Sequence, residues 1–264
     1  MNRHVIRLAG PLTGLVLATM IGVTPVLAAP EPTAAASTSR AGQAEELNSR
    51  IYCAREWSAA RASATVRNLQ AVGTCEIDRR LATIGRLDNA VDDARALTDA
   101  HEAALEVILD NSAAGLRALR EEIEADTTVE ELRADIKRIF EDFRIYALVT
   151  RQVWLVTAAD TVNAAGAALN ETAADLASLI AQAEANGKDV TVAKAALEAM
   201  QAAIDEALAG VDGLASEVLP LTPADWNAGT AGPVLREARE AIAAARADLR
   251  RATAEARQVI AALA

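Results

Sequence analysis

Ile145-Tyr146-Ala147-Leu148-Val149-Thr150-Arg151-Gln152-Val153-Trp154-Leu155-Val156 is the stretch that decides how the chain folds. Together with Phe140 and Phe143 just upstream it holds four of the seven aromatics of an alanine-rich sequence, so the densest apolar mass lies here. Wound at helical pitch, Phe140, Phe143, Ala147 and Trp154 make one stripe, while Ile145, Leu148, Val149, Leu155 and Val156 occupy much of the opposite side. A helix apolar on two sides is packed on two sides. The stretch is expected to be the central helix of a bundle, and it is too short to span a membrane, which takes ~20 apolar residues.

Outward from that helix the composition is that of an all-α protein. Alanine supplies 64 of 264 residues against 13 glycines and 7 prolines, a bias that favours helix. The N-terminus is different in kind. Arg3, His4 and Arg7 precede a mostly apolar run from Leu8 to Val26, and Val26-Leu27-Ala28-Ala29-Pro30 offers small residues for a signal peptidase. Residues 1–28 therefore read as an export signal cut after Ala28 or Ala29, with Pro11 and Pro25 counting against an uncleaved anchor helix. Residues 29–43, rich in Pro, Ala, Ser and Thr, read as a disordered tether, and residues 44–264 as a single elongated helical bundle domain. No stretch after the signal is long and apolar enough to span a bilayer.

Removing the signal leaves 24 Lys and Arg against 37 Asp and Glu, a net charge of −13. Such a surface repels phosphate backbones, which argues against a nucleic-acid partner. Export makes a disulfide between Cys53 and Cys75 attractive. Geometry opposes it: along one helix the two would stand ~33 Å apart, and a turn at Gly73 would still leave ~28 Å. A bridge needs Cα atoms within about 7 Å. If it forms, it requires a bend near Ser63 to Thr65, where neither Gly nor Pro stands.

Seams follow in order. Leu47, Ile51, Ala54, Ser58, Ala62, Thr65, Leu69 and Val72 keep helical spacing up to Gly73-Thr74, where the helix either turns or runs on. A seven-residue repeat then links Ile77, Ile84, Val91, Thr98, Leu105, Ser112 and Leu119, with Asp110-Asn111-Ser112 and Gly115 as candidate interruptions. Thr127 and Glu130, or Thr128 and Glu131, are spaced as a capping box that starts the central helix, whose second row is Leu148, Leu155, Val162, Leu169 and Leu176. Asn186-Gly187 is a stop, Thr222-Pro223 a capped start, and two shorter helices carry seams through Val190 to Val218 and Leu235 to Leu263. Folding the long pair about Thr127 predicts long antiparallel helices with a four-helix-bundle-like end and a two-helix coiled-coil extension.

Chemistry is sparse. His101 is the sole histidine after the signal, so two-histidine metal sites are out of reach within one chain, and no cofactor or metal is expected. The cysteines lack Cys-x-x-Cys spacing, no serine sits in an elbow motif, and no glycine-rich phosphate loop occurs. No catalytic residue is assigned, and the chain reads as a non-enzyme. Leu219-Pro220-Leu221-Thr222-Pro223 resembles a sorting signal, but Pro223 stands where glycine belongs, and it reads as a helix connector. Arg144 and Arg151 share a side of the central helix, as a grip for an anion or as partners of Glu102, Glu106 or Asp110. The fold as predicted puts His101 near Trp154, so Tyr146, Arg151, Trp154 and His101 form the candidate site for a small apolar or anionic ligand.

Around Arg138-Ile139-Phe140-Glu141-Asp142-Phe143-Arg144-Ile145-Tyr146, and over about residues 75 to 185, the chain resembles exported alanine-rich helical proteins of high-GC Gram-positive bacteria. That resemblance implies a helical fold and export, and carries no activity. The expectation is a secreted or envelope-associated interaction module or structural spacer. Its partner would be an unknown envelope protein or a second copy.

Overall fold

The computed structural model describes residues 52–264, so the segments read as an export signal and a tether, and the first expected helical positions, Leu47 and Ile51, lie outside it. The described chain is all-α, with no strand among its residues. None of its helices is long and apolar enough to cross a membrane.

Helix α1, Ala54–Ala62, ends at Ser63, whose backbone is extended, and α2, Val66–Asp92, starts three residues later. Capping makes this bend without Gly or Pro. The Thr65 hydroxyl accepts from the Asn68 N–H at 3.3 Å, and the Asn68 amide reaches back to the carbonyls of Ser63 (2.8 Å) and Ala59 (3.3 Å), tying both helix ends together. α1 therefore folds back along α2, and Cys53 and Cys75 are joined in a disulfide with Cα atoms 5.9 Å apart. Gly73 lies inside α2 and does not turn the chain. A Cβ there would stand 2.9 Å from Ile123 Cδ1, so its bareness is what lets α3 approach.

The seven-residue seam from Ile77 to Leu119 crosses a break that the spacing does not reveal. α2 ends at Asp92, a turn follows with Leu97 buried, and α3, Asp99–Ala125, starts at a Thr98 cap that accepts from the His101 N–H. Asp110-Asn111-Ser112 and Gly115 sit within unbroken helix. α2 thus doubles back along α3, and Asp78 of one pairs with Arg120 of the other.

A second hairpin leads to α4, Val129–Glu141, opened by the Thr128–Glu131 capping box. The Glu131 carboxylate accepts from the Thr128 N–H (3.0 Å) and hydroxyl (2.8 Å), bonds that hold its pKa below the ordinary carboxylate value. The helix expected to run on through the aromatic stretch stops here. Arg144 adopts a left-handed backbone at φ 45°, and Ile145–Val149 winds as a π turn that feeds directly into α5, Thr150–Ala185. Residues 140–156 are therefore two helical pieces around a kink. Their aliphatic side is the packed one: Ile145, Leu148, Val149, Val153 and Val156 are buried, whereas Trp154 is 48 % exposed.

Three glycines with positive φ close the remaining turns. Gly187 precedes α6, Thr191–Val211; Gly213 precedes α7, Leu214–Val218; and Gly229 follows α8, Pro223–Asn227, ahead of α9, Ala231–Leu263. α8 has the expected Thr222 cap, completed by Asp225. α5, α6 and α9 pack as a three-helix bundle. Its seam is alanine: Ala193, Ala196, Ala203 and Ala207 on α6 meet Ala238, Ala245 and Ala252 on α9, and small side chains let helix axes come close.

This partition differs from the four-helix end with a two-helix extension that the sequence suggested. α1, α3 and α4 surround α2, so the end near Thr127 is covered: the Gln70 amide of α2 donates to the carbonyls of Glu124 and Asp126 there. Distal α5 belongs with α6 and α9. The Ile145–Val156 stretch joins the two groups, and the buried residues form one continuous core from Ala60 to Val259.

Candidate functional site

The polar chemistry of the N-terminal helices converges on one buried node. Glu76 and Arg80, one turn apart on α2, are each only 3 % exposed and pair at 2.6 Å. The second Glu76 oxygen accepts from the Trp57 indole N–H of α1 at 2.9 Å. The Arg80 guanidinium lies 4.5 Å from the ring centre of Phe140 on α4 and 5.4 Å from that of Tyr146 in the π turn. Burial draws the Arg80 pKa below its ordinary value, and the Glu76 carboxylate opposes that shift. Next to it, Arg79 donates to the Tyr146 hydroxyl at 2.9 Å and stacks on its ring, while Thr83 donates to the same oxygen. Both Glu76 oxygens are engaged and the cation is sandwiched between rings, so the node locks α1, α2, α4 and the π turn together.

The four residues expected to surround a ligand are distributed among separate structural tasks. Tyr146 belongs to the node just described. Arg151 lies over the Trp226 ring of α8 at 5.2 Å. Trp154 projects into solvent. His101 Nδ1 stands 2.9 Å from an oxygen of Asp160, a buried α5 carboxylate that also accepts from the Thr98 N–H at 2.9 Å, which pins the α2–α3 turn against α5. Arg144 donates to Asn227 of α8 at 2.7 Å instead of meeting Glu102, Glu106 or Asp110. Beneath Arg151, the buried Gln152 amide serves the carbonyls of Val218 (3.0 Å), Leu219 (3.2 Å) and Leu221 (2.9 Å), holding the proline-containing connector in place.

A concave site does exist, on a different face. α1 and α4 both lie on α2, leaving between them a furrow of about 400 Å³ lined by Trp57, Ala60, Arg61, Ala64, Leu69, Arg133, Ile136, Lys137 and Phe140. None of the four residues singled out from the sequence lines it. Its floor is apolar and its only charged lining residues are the cations Arg61, Arg133 and Lys137. Two (i, i+4) pairs, Trp57 with Arg61 and Arg133 with Lys137, were the available sequence signal. They could be joined only once the disulfide had brought α1 beside α4. At the far end of α2, Asp92, Glu102 and Glu106 bring carboxylate oxygens within 4.8 Å of one another, with Asp92 and Glu106 exposed.

Among known proteins, no family model, no curated protein and no solved structure matches the chain.

Proposed function

We propose that this chain is an exported, non-enzymatic helical protein that acts at the cell envelope as an interaction module or structural spacer. The observation that carries the reading is the Cys53–Cys75 bridge, because structural disulfides persist in oxidising compartments outside the cytosol. The basic, then apolar, then small-residue pattern of residues 1–28 supplies the route. Its partner is an envelope protein or a second copy of the chain.

Intact-mass analysis of the protein recovered from its native host tests this. The reading expects a polypeptide beginning at Ala29 or Pro30, in the medium or envelope fraction, two hydrogens lighter than its reduced formula. A full-length cytosolic chain with free thiols would remove it. A second reading, a bundle that holds a small apolar or anionic ligand, is favoured by the furrow between α1 and α4.

A further inference from the structure

We infer that the α1–α4 furrow binds a long-chain carboxylate, a fatty-acid anion, with the acyl chain on the apolar floor and the carboxylate among Arg61, Arg133 and Lys137. The inference rests on the second reading above and gives that ligand a chemistry and a place.

Size and shape come first. About 400 Å³ falls within the range of small-molecule sites, which starts near ~300 Å³. The space lies between two helices that share α2 as their base, and Ala60 and Ala64 on the α1 side leave it open. Leu69, Ile136, Phe140 and the Trp57 ring supply the floor. The Trp57 indole N–H, its one polar group, is already donated to Glu76, so the ring offers its apolar face. A ligand rich in hydroxyls or phosphates would lose its hydration on such a floor without recovering hydrogen bonds.

Charge decides the rest. The whole chain carries a net −11, yet the furrow is lined by three cations and no acid. Arg61 spends its Nε–H on the Trp57 carbonyl at 3.2 Å, which orients the guanidinium. Lys137 has only the half-buried Glu141 at 3.3 Å, and Arg133 has no ion-pair partner among the described residues. Long cationic side chains bury their methylenes along apolar surface and keep the head in water, which is the arrangement an amphiphilic anion needs. Guanidinium groups also present a fork that suits a carboxylate.

The test uses the oxidised full chain carrying Trp154→Phe and Trp226→Phe, so that Trp57 is the sole tryptophan and reports from inside the furrow. Sodium laurate, dodecanol and dodecyltrimethylammonium are titrated, each below its micelle threshold. Laurate is expected to shift the Trp57 emission saturably and more tightly than the other two. The double change Arg133→Glu with Lys137→Glu should weaken laurate roughly tenfold or more, equivalent to about 1.4 kcal/mol, and leave dodecanol unchanged. Arg133→Lys should restore most of the loss when paired with native Lys137. Ala64→Phe, placed in the α1–α2 linker, should abolish the response by filling the furrow while Trp57 stays the sole tryptophan, with unchanged helical circular dichroism as its control. If dodecanol binds as tightly as laurate and charge reversal is without effect, the anion inference fails while a small apolar ligand survives. If no amphiphile moves Trp57 up to its solubility limit, or if Ala64→Phe leaves the response intact, the furrow is not a ligand site.

Discussion

Glu76 and Arg80 present the sharpest energetic consequence of the fold. Each is 3 % exposed, their charged groups meet at 2.6 Å, and removing Glu76 leaves the Arg80 guanidinium in the core without its counter-charge. Breaking a buried pair from one side costs about 3–5 kcal/mol, because the surviving charge keeps its desolvation penalty and loses its partner. Glu76→Leu should therefore destabilise by that amount: it leaves the Arg80 guanidinium between Phe140 and Tyr146 with no counter-charge. Arg80→Leu should cost somewhat less, because the Glu76 carboxylate keeps the Arg79 guanidinium at 3.5 Å and the Trp57 N–H that it still accepts. Replacing both restores an apolar interior, and the residual losses are the orphaned Trp57 indole N–H, about 1 kcal/mol, and the 3.5 Å contact of Arg79 with Glu76. Against a typical total of ~5–15 kcal/mol, the single variants should show a marked fall in urea midpoint and the double variant a small one. Urea unfolding followed by circular dichroism at one pH measures all four corners of the cycle. Additivity, with the double variant as unstable as the two singles combined, would refute the picture of a mutually dependent buried pair.

Three further outcomes follow from the same structure. Gln152→Leu leaves the carbonyls of Val218, Leu219 and Leu221 without their common donor, which should cost about 1–3 kcal/mol and free the α7–α8 connector, seen as faster amide exchange there. Asp126 has a buried, unpartnered oxygen and a raised pKa, first from desolvation and then from the neighbouring charges of Asp135, Glu131 and Glu122, while Arg138 is already engaged by Asp135 and Glu122. A carboxyl whose folded-state pKa is raised costs stability as pH climbs past its unfolded value of about 3.9, so Asp126→Asn should raise the melting temperature at pH 7 and lose that gain below about pH 4. Replacing Cys53 and Cys75 together with serine should cost about 3 kcal/mol in chemical denaturation, the chain-entropy value for a 22-residue separation.

The helical class was legible because alanine content and apolar spacing need no long-range information. Caps were legible for the same reason: Thr128 with Glu131 as one of two candidate boxes, Thr222 ahead of Pro223, and Gly187 as a stop are all local chemistry. The bend at Ser63–Thr65 could be deduced only through the cysteines, since its mechanism, Asn68 reaching back to Ala59 and Ser63, carries no Gly or Pro signature. The turn at Asp93–Thr98 was hidden because Val91 and Leu105 remain in seven-residue register across it. A repeat specifies which positions are buried and is silent about the backbone between them. Thr98, followed by Asp99 and Glu102 in the first turn, was the overlooked helix start.

At Arg144 nothing in the residue type announces a left-handed backbone, and the π turn after it shifts the phase of everything downstream. Phe140 packs on Arg80, Phe143 lies against Gly115 and Trp154 is exposed, and the ligand site expected around Trp154 separates into unrelated contacts. Tyr146 was found, but its partner Arg79 lies 67 residues away. The furrow residues Trp57, Arg61, Arg133 and Lys137 come from two helices that only the disulfide and the doubled α2–α3 hairpin bring onto one base.

That hairpin is what every later statement requires, and one distance tests it. Nitroxides placed through Asp78→Cys and Arg120→Cys, with the native disulfide left oxidised, report on the separation of α2 from α3 by dipolar electron paramagnetic resonance. Because Asp78 and Arg120 face each other across packed helices, the backbones should lie on the order of 10 Å apart. A continuous helix through residues 93–98 would put them ~63 Å apart at 1.5 Å per residue, and a distance of that size would contradict the fold and the furrow together.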